Sequence, residues 1–374
     1  MAFDWAGLDA DATLYLEPSG FAGPILDGPD AIAPLAGTSV RFSAVKLIAA
    51  KYGQRLAEVL LPLADYKAVA ARLPAPHADR AEMLWQHLTT PRTAIDLPGH
   101  GALRFDKPLI MGVVNVTPDS FSDGGDHADA TAAIAQGWQL RGDGADLIDI
   151  GGESTRPGAE PVWEGDEIAR IEPVLAQLCP QMPVSVDTRK AAVMRAALKS
   201  GAVMINDVSA LGHDPAAMAV AAAADVPVVL MHAPDEPKTM QQNPHYEDVL
   251  LDVFDALATR VRAAEAAGIA RARLIVDPGI GFGKTVRHNL SLLNGLALFH
   301  GLGCALMLGV SRKRFIGALS REEEPKDRVP GSLAAALHGL SRGAQILRVH
   351  DVAQTKQAVM VWRGLADAAL MPPA

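Results

Sequence analysis

Residues 109–125 read LIMGVVNVTPDSFSDGG. Leu109, Ile110, Met111, Val113, Val114 and Val116 form an apolar, β-rich run, and Asn115 interrupts it just ahead of a polar loop with Thr117, Asp119, Ser120, Ser122 and Asp123. A short apolar run bounded by turn residues reads as a strand buried on both faces, the kind that parallel sheets contain. The pattern recurs in ADLIDIG from Ala145, PVSVD from Pro183, AVMIND from Ala202, PVVLMH from Pro227, RLIVDPG from Arg273, ALMLGVS from Ala305 and QILRVH from Gln345. Amphipathic segments separate these runs. Ile168, Ile171, Leu175 and Leu178 recur at helical spacing, and so do Leu250, Val253, Leu257 and Val261. Eight strands alternating with helices predict an α/β protein built on a (β/α)8 TIM barrel. The competing topology is a doubly wound open sheet, which gathers its polar strand ends at one switch point. Here they recur around nearly the whole set.

Residues ahead of about Arg104 break the alternation, so a small N-terminal α+β extension is expected over residues 1–95, with the barrel over 96–374. FSAVKLIAAKYG (42–53) and DYKAVAARL (65–73) have helical patterns. PAPHADRAEMLWQHLTTPRTAIDLPGHG (74–101) predicts a further helix and a linker. The 374 residues are 49% hydrophobic and 21% charged, an ordinary globular composition. A net charge of -9 argues against nonspecific nucleic-acid binding, which relies on Lys and Arg. Cys179 and Cys304 are too few for a disulfide framework or a zinc cluster, and both read as core thiols. The first twenty residues are acidic and lack a basic n-region, unlike a signal peptide. AAMAVAAAADVPVVLMHA (216–233) is broken by Asp225 and Pro227 and reads as a helix end plus a strand. The expectation is a cytoplasmic protein with neither nucleic-acid nor membrane partners.

Active sites of such barrels lie at the carboxyl ends of the strands. Those ends carry Asn115, Asp149, Asp187, Asn206 with Asp207, His232, Asp277, the Ser311–Arg312–Lys313 run, and Arg348 with His350. Asp149 and Asp207 read equally well as helix caps or turn formers. Asp187, Asn206 and Asp277 offer acceptors and amide donors suited to a flat heterocycle rich in N–H groups. Arg156, Lys313, Arg348 and His350 suit anionic groups. Asn115 offers an oxygen suited to Mg²⁺, which keeps few protein ligands beside substrate phosphates. No nucleophile elbow or Walker loop is present; GIGFGK (279–284) superficially resembles a phosphate loop but lacks the required G-x-x-x-x-G-K-[ST] spacing. The ring therefore suits a heterocycle beside a phosphorylated group, without a covalent nucleophile.

The runs MGVVNVTPDSFSDGG, GADLIDIGGESTRPGA, VSVDTRK, INDVSAL, LMH, IVDPGIGFGK, LGVSRKRFIG and ILRVHDV follow one another in this order. Together they resemble the dihydropteroate synthase family of pterin-binding barrels, from about Phe105 onward. The resemblance implies condensation of dihydropterin pyrophosphate with para-aminobenzoate to give dihydropteroate and pyrophosphate. It implies that Asp187, Asn206, Asp277 and Lys313 bind the pterin. Asn115, Arg348 and His350 match pyrophosphate and Mg²⁺ positions, and Thr155, Arg156, Pro157 and Phe282 match the para-aminobenzoate pocket. Asp187, Lys313, Arg348 and His350 are the implied catalytic set. Met231 either packs on the pterin or is a plain core methionine. TPDSFSDGG and GGESTRPG match the family's mobile loops, with Phe121 and Asp123 placed to close over the site. A homodimer and sulfonamide sensitivity are further family expectations.

An arylamine is a weak nucleophile, so a loose displacement in which pyrophosphate departs first suits these residues. One departure from the family is Arg314, where a small Ser is common: it either adds a cation at the mouth or points to solvent. The rival readings are a pterin-binding methyltransferase and a catalytically silent pterin-binding paralogue. Methyl transfer has no use for the pyrophosphate and aminobenzoate motifs, and nearly every motif is intact.

Overall fold

The computed structural model describes residues 3–22, 32–117, 126–154, 160–234 and 244–368. The extension begins with an antiparallel sheet of β1 (Thr13–Ala22), β2 (Ala33–Pro34), β3 (Arg41–Lys51) and β4 (Gln54–Pro62). β3 pairs with the other three. Helices α1 (Leu63–Ala70) and α2 (Ala75–Thr89) follow where helices were expected. FSAVKLIAAKYG is a correction: it is not a helix but most of β3 and the turn after it. Its apolar spacing is compatible with a helix, yet β1 and β4 take up the backbone groups on its two edges, and Val45, Leu47, Ile48 and Ala49 are fully buried. Pairing with strands distant in sequence overrides the local pattern. The expected linker also contains a hairpin of β5 (Ile95–Leu97) and β6 (Gly101–Leu103).

The barrel strands are β7 (Leu109–Asn115), β8 (Leu147–Gly151), β9 (Val184–Asp187), β10 (Met204–Asp207), β11 (Val228–Met231), β12 (Leu274–Asp277), β13 (Ala305–Leu308) and β14 (Ile346–Val349). Each pairs in parallel with the next, and β14 returns to β7 to close the ring. All eight lie on the apolar runs read from the sequence. The helices that cover them are α3 (Asp126–Gly142), α4 (Glu164–Leu178), α5 (Ala191–Lys199), α6 (Ala217–Ala224), α7 (Val249–Ala266), α8 (Val286–Asn294), α9 (Arg314–Leu319), α10 (Val329–Leu340) and α11 (Val352–Ala368). On α4 and α7 the apolar stripe turns inward, burying Ile171, Leu175 and Leu178 on one and Leu250, Val253, Leu257 and Val261 on the other.

Two apolar cores result. Met111, Leu147, Met204, Val229, Ile275, Met307 and Ile346 fill the barrel, and Ile95, Leu97, Leu103 and Phe105 seal its amino end. The second core lies between strands and helices and runs without a break into the extension, where Leu14, Leu16, Phe42, Leu84 and Leu88 join Phe254, Leu257 and Phe299. Tyr15 meets Phe254 edge-on at 5.6 Å and donates its hydroxyl to Asp255 Oδ2 at 2.6 Å. Arg92 donates to the carbonyls of His300 and Cys304. Both cysteines are buried, and burial pushes each thiol up to about 12. Among the described residues no helix is long and apolar enough to cross a membrane.

Candidate active site

Strand phase decides which strand-end residues face inward. Leu147, Met204, Val229, Ile275, Met307 and Ile346 belong to the inner core. With a side-chain period of two, Asp149, Asn206, Met231, Asp277, Gly309 and Arg348 lie on the same face, one layer nearer the carboxyl end. Asp207 is out of phase with Asn206. Its carboxylate instead accepts from the backbone of Ser209 and Leu211 and from the Ser209 hydroxyl, as a turn former does. Burial pushes its pKa up to about 6, against those hydrogen bonds. Of the two aspartates read as possible caps, only Asp207 is one.

On one side of the mouth, Arg348 binds two carboxylates. Its Nε donates to Asp149 Oδ2 and its Nη2 to Asp187 Oδ2, both at 2.6 Å. Asn206 Nδ2 adds a bond to Asp149 Oδ2 at 2.9 Å. Burial pushes Asp187 above the usual carboxylate range, with Arg348 opposing and Asp149 reinforcing the shift. Burial also works against the Arg348 charge, but Asp149 and Asp187 hold its pKa above the ordinary value. Oδ1 of Asp149 and Oδ1 of Asp187 are buried and accept no hydrogen bond among the described residues. They are acceptors placed for a ligand N–H.

On the other side, one carboxylate faces two lysines. Asp277 Oδ1 accepts from Gly279 N at 2.7 Å, and burial raises its pKa against the pull of Lys313. A side chain at Gly309 would come within 3.8 Å of Asp277 Oδ2 and of Lys313 Nζ. This bare position leaves the space between them open. Lys313 Nζ bonds the carbonyl of Ile280 and stands 4.6 Å from the centre of the Phe282 ring, a cation–π distance. Burial pushes the lysine down to about 8. Lys284 is 4% exposed, and its Nζ bonds Phe282 O at 2.8 Å, His232 Nδ1 at 3.0 Å and His232 O at 3.3 Å. Burial and the nearby Lys313 push Lys284 down to about 7. Burial and Lys284 push His232 down to about 3. Gly279 lies in the left-handed region at φ 66°, and any Cβ there would sit 1.9 Å from His232 O, so only glycine fits.

Met231 is 5% exposed at the end of β11. Asn115 ends β7 and is half-buried. His350 is held by Ser311, whose Oγ lies 3.0 Å from its Nδ1 and accepts from its backbone N at 3.2 Å. Arg314 is exposed at the first position of α9. Thr155, Arg156 and Pro157 lie outside the described residues, as do Phe121 and Asp123. On either side of the 155–157 stretch, Glu153 Oε1 accepts from Val162 N and Lys190 Nζ, and Glu153 Oε2 pairs with Arg189.

Thus Asp187, Asn206, Met231, Asp277, Phe282, Lys313 and Arg348 gather at one end of the barrel. Two residues of this cluster, Asp149 and Lys284, carry no binding role in the sequence reading. Asp149 was legible from its phase with Leu147. Lys284 carried only its place after a glycine-rich strand end. Arg348, which the resemblance assigns to pyrophosphate, has two of its nitrogens on the protein's own carboxylates.

The family model described as "Pterin binding enzyme" matches residues 111–350. The dihydropteroate synthase of Neisseria meningitidis serogroup B is 49% identical over 273 residues, 71% of this chain and 96% of that protein. Among solved structures, the Xanthomonas albilineans dihydropteroate synthase with 4-aminobenzoic acid is 50% identical with a TM-score of 0.69, covering 73% of this chain and 98% of that one. The Yersinia pestis dihydropteroate synthase with a sulfonamide drug complex is 42% identical with a TM-score of 0.70, covering 74% and 100%. With this ring of strand-end residues and these relatives, the chain belongs to the pterin-binding enzymes and, within them, to the dihydropteroate synthase family.

Proposed function

We propose that the barrel joins 7,8-dihydropterin-6-ylmethyl diphosphate to para-aminobenzoate, releasing diphosphate and 7,8-dihydropteroate. The observation that carries this is the buried polar set of Asp187, Asn206 and Asp277 beside Lys313, with Asp187 Oδ1 open to a donor. The carboxylates and the Asn206 amide read the N–H and carbonyl edge of the pterin, and Lys313 donates to it. Met231 packs on the ring face. Phe282 forms one wall for the aminobenzoate ring, with Thr155, Arg156 and Pro157 assigned to the same pocket.

In the reaction the carbon–oxygen bond to diphosphate breaks, and the electron pair leaves on the oxygen. The aryl nitrogen then attacks the methylene carbon and sheds a proton. The departing charge is met by His350 and by the part of the Arg348 guanidinium outside its two ion pairs. Asp187 offsets the positive charge that the pterin takes up. Orientation by a rigid barrel supplies much of the remaining acceleration. Among the described residues no group of three or more His, Cys, Asp or Glu forms a metal cluster. Asn115 is half-buried, and its amide oxygen is of the type that fits a hard cation drawing its other ligands from water and substrate. Mg²⁺ held there would neutralise charge on the diphosphate.

A homodimer is supported by α11, which exposes Met360, Val361 and Leu365 together. The site also suits sulfonamides, which share the arylamine of para-aminobenzoate. Turnover with both substrates, followed by diphosphate release, tests the reading. Stoichiometric diphosphate and dihydropteroate, with neither formed when one substrate is omitted, is the expected result. Pterin binding without turnover would favour a silent paralogue, and methyl transfer from a folate would favour the methyltransferase reading.

A further inference from the structure

The family match begins at residue 111, yet the extension touches the segment that enters α7. The turn between β3 and β4 stands on the residues that open α7. A side chain at Gly53, where φ is 78°, would come within 3.3 Å of Glu247 Cβ and 3.6 Å of Asp252 Oδ1. Arg55 Nε donates to Asp248 Oδ2 at 2.6 Å, and the same guanidinium pairs with Glu58 on β4. The other Asp248 oxygen caps α7 by accepting from Leu250 N at 3.1 Å and Leu251 N at 3.3 Å. Asp252 Oδ2 accepts from the backbone of Glu247 and Asp248. The segment entering α7 is thereby held by its own cap and by the extension.

Tyr246 lies two residues before Asp248. Its hydroxyl donates to Gly283 O at 3.0 Å, and its ring stands edge-on to His288 at 5.1 Å. Gly283 sits between Phe282, which lies under Lys313, and Lys284, which bonds His232. A path therefore runs from β4 through the Arg55–Asp248 pair, along the backbone of 246–248, and through the Tyr246 hydroxyl to the 279–284 loop.

We infer that Arg55 and Tyr246 are positioning residues through which the N-terminal extension sets the 279–284 loop, and so the aminobenzoate wall made by Phe282. The inference rests on the proposed role of Phe282. Neither residue touches substrate; each acts through the loop.

The test is steady-state kinetics on the full chain with Arg55→Ala, Arg55→Lys, Asp248→Asn and Tyr246→Phe. Asp248→Asn keeps an acceptor for the α7 cap and removes only the charge. Tyr246→Phe keeps the ring and removes the donor. Loss of the Tyr246 hydrogen bond is expected to raise the KM for para-aminobenzoate about three- to tenfold. Loss of the part-exposed ion pair, by Arg55→Ala or Asp248→Asn, raises it about two- to fivefold. The kcat and the pterin KM stay within about twofold, and Arg55→Lys recovers part of the effect. Arg55→Ala combined with Tyr246→Phe matches Tyr246→Phe alone, because the first residue acts through the second. Multiplying effects, a fall in kcat, or a lowered melting temperature with unchanged KM would each overturn the inference. Hydrogen–deuterium exchange over residues 279–284 needs no substrate: faster exchange in Arg55→Ala supports the inference, and unchanged exchange refutes it. A wild-type chain that makes no dihydropteroate refutes the functional reading, and the exchange result still judges the brace.

Discussion

At the ends of β8, β9, β10 and β14, two carboxylates share one guanidinium. At the ends of β11, β12 and β13, one carboxylate faces two ammonium groups. Both regions are buried, but their protons behave differently. Arg348 keeps its charge because Asp149 and Asp187 bind it directly at 2.6 Å. Lys284 and Lys313 have carbonyls, a ring and a neutral histidine as direct partners, and burial pushes them down to about 7 and about 8. A buried charge persists where the protein supplies its counterion and weakens where that is left to a ligand. The first region has its charge balanced within the protein and keeps two carboxylate oxygens open for a ligand N–H, and the second is completed by what binds.

The sharpest way to break the contrast is Arg348→Met. It leaves the Asp149 and Asp187 carboxylates buried with no counterion, and losing one partner of a buried pair costs about 3–5 kcal/mol. Urea unfolding should show that loss, with turnover falling alongside, and adding Asp149→Asn should restore part of the stability. Unchanged stability would mean that the guanidinium does not hold the carboxylates.

Lys284 gives the opposite signature, and it depends on pH. Its folded-state pKa of about 7 lies below its unfolded value of about 10.4, so the stability linked to it is present above 10.4 and lost as pH falls through 7. The wild-type chain should therefore gain stability from pH 7 to pH 10, by an amount on the order of a few kcal/mol. Lys313 adds a smaller rise of the same sign. Lys284→Met should flatten most of the curve in unfolding measured at several pH values; an unaltered slope would refute the assignment.

Lys313→Met should separate binding from folding. Loss of a charge-assisted hydrogen bond of about 1.5–3 kcal/mol weakens pterin roughly 10- to 150-fold by calorimetry. Folding stability should hold or rise, because no ammonium is then desolvated. Arg314→Ser is the smallest change. Arg314 is exposed at the start of α9, so the KM for para-aminobenzoate should move by a few-fold at most, in line with exposed ion pairs of about 0.2–1 kcal/mol. A large fall in kcat would place Arg314 among the reacting groups.

The eight strands were legible because each is a local signal: an apolar run with a polar tip. Strand phase extends that legibility to the site. Asp149 shares the face of Leu147, and Asp207 cannot share the face of Asn206. What local reading could not reach depends on partners far along the chain. β3 became a strand through β1 and β4, despite a spacing compatible with a helix. Lys284 meets His232 from 52 residues away, and Arg55 meets Asp248 from 193. No window along the sequence contains both members of either pair.

The apolar core that runs from Leu14 and Phe42 into Phe254 and Phe299 also bears on how the molecule comes apart. A chain whose sequence divides into an extension and a barrel would be expected to show two heat-absorption peaks in a calorimeter. Shared side-chain packing ties those transitions together, so removing one part exposes the apolar face of the other. Scanning calorimetry should record one cooperative peak, and two separate peaks would show that the extension and the barrel unfold as independent units.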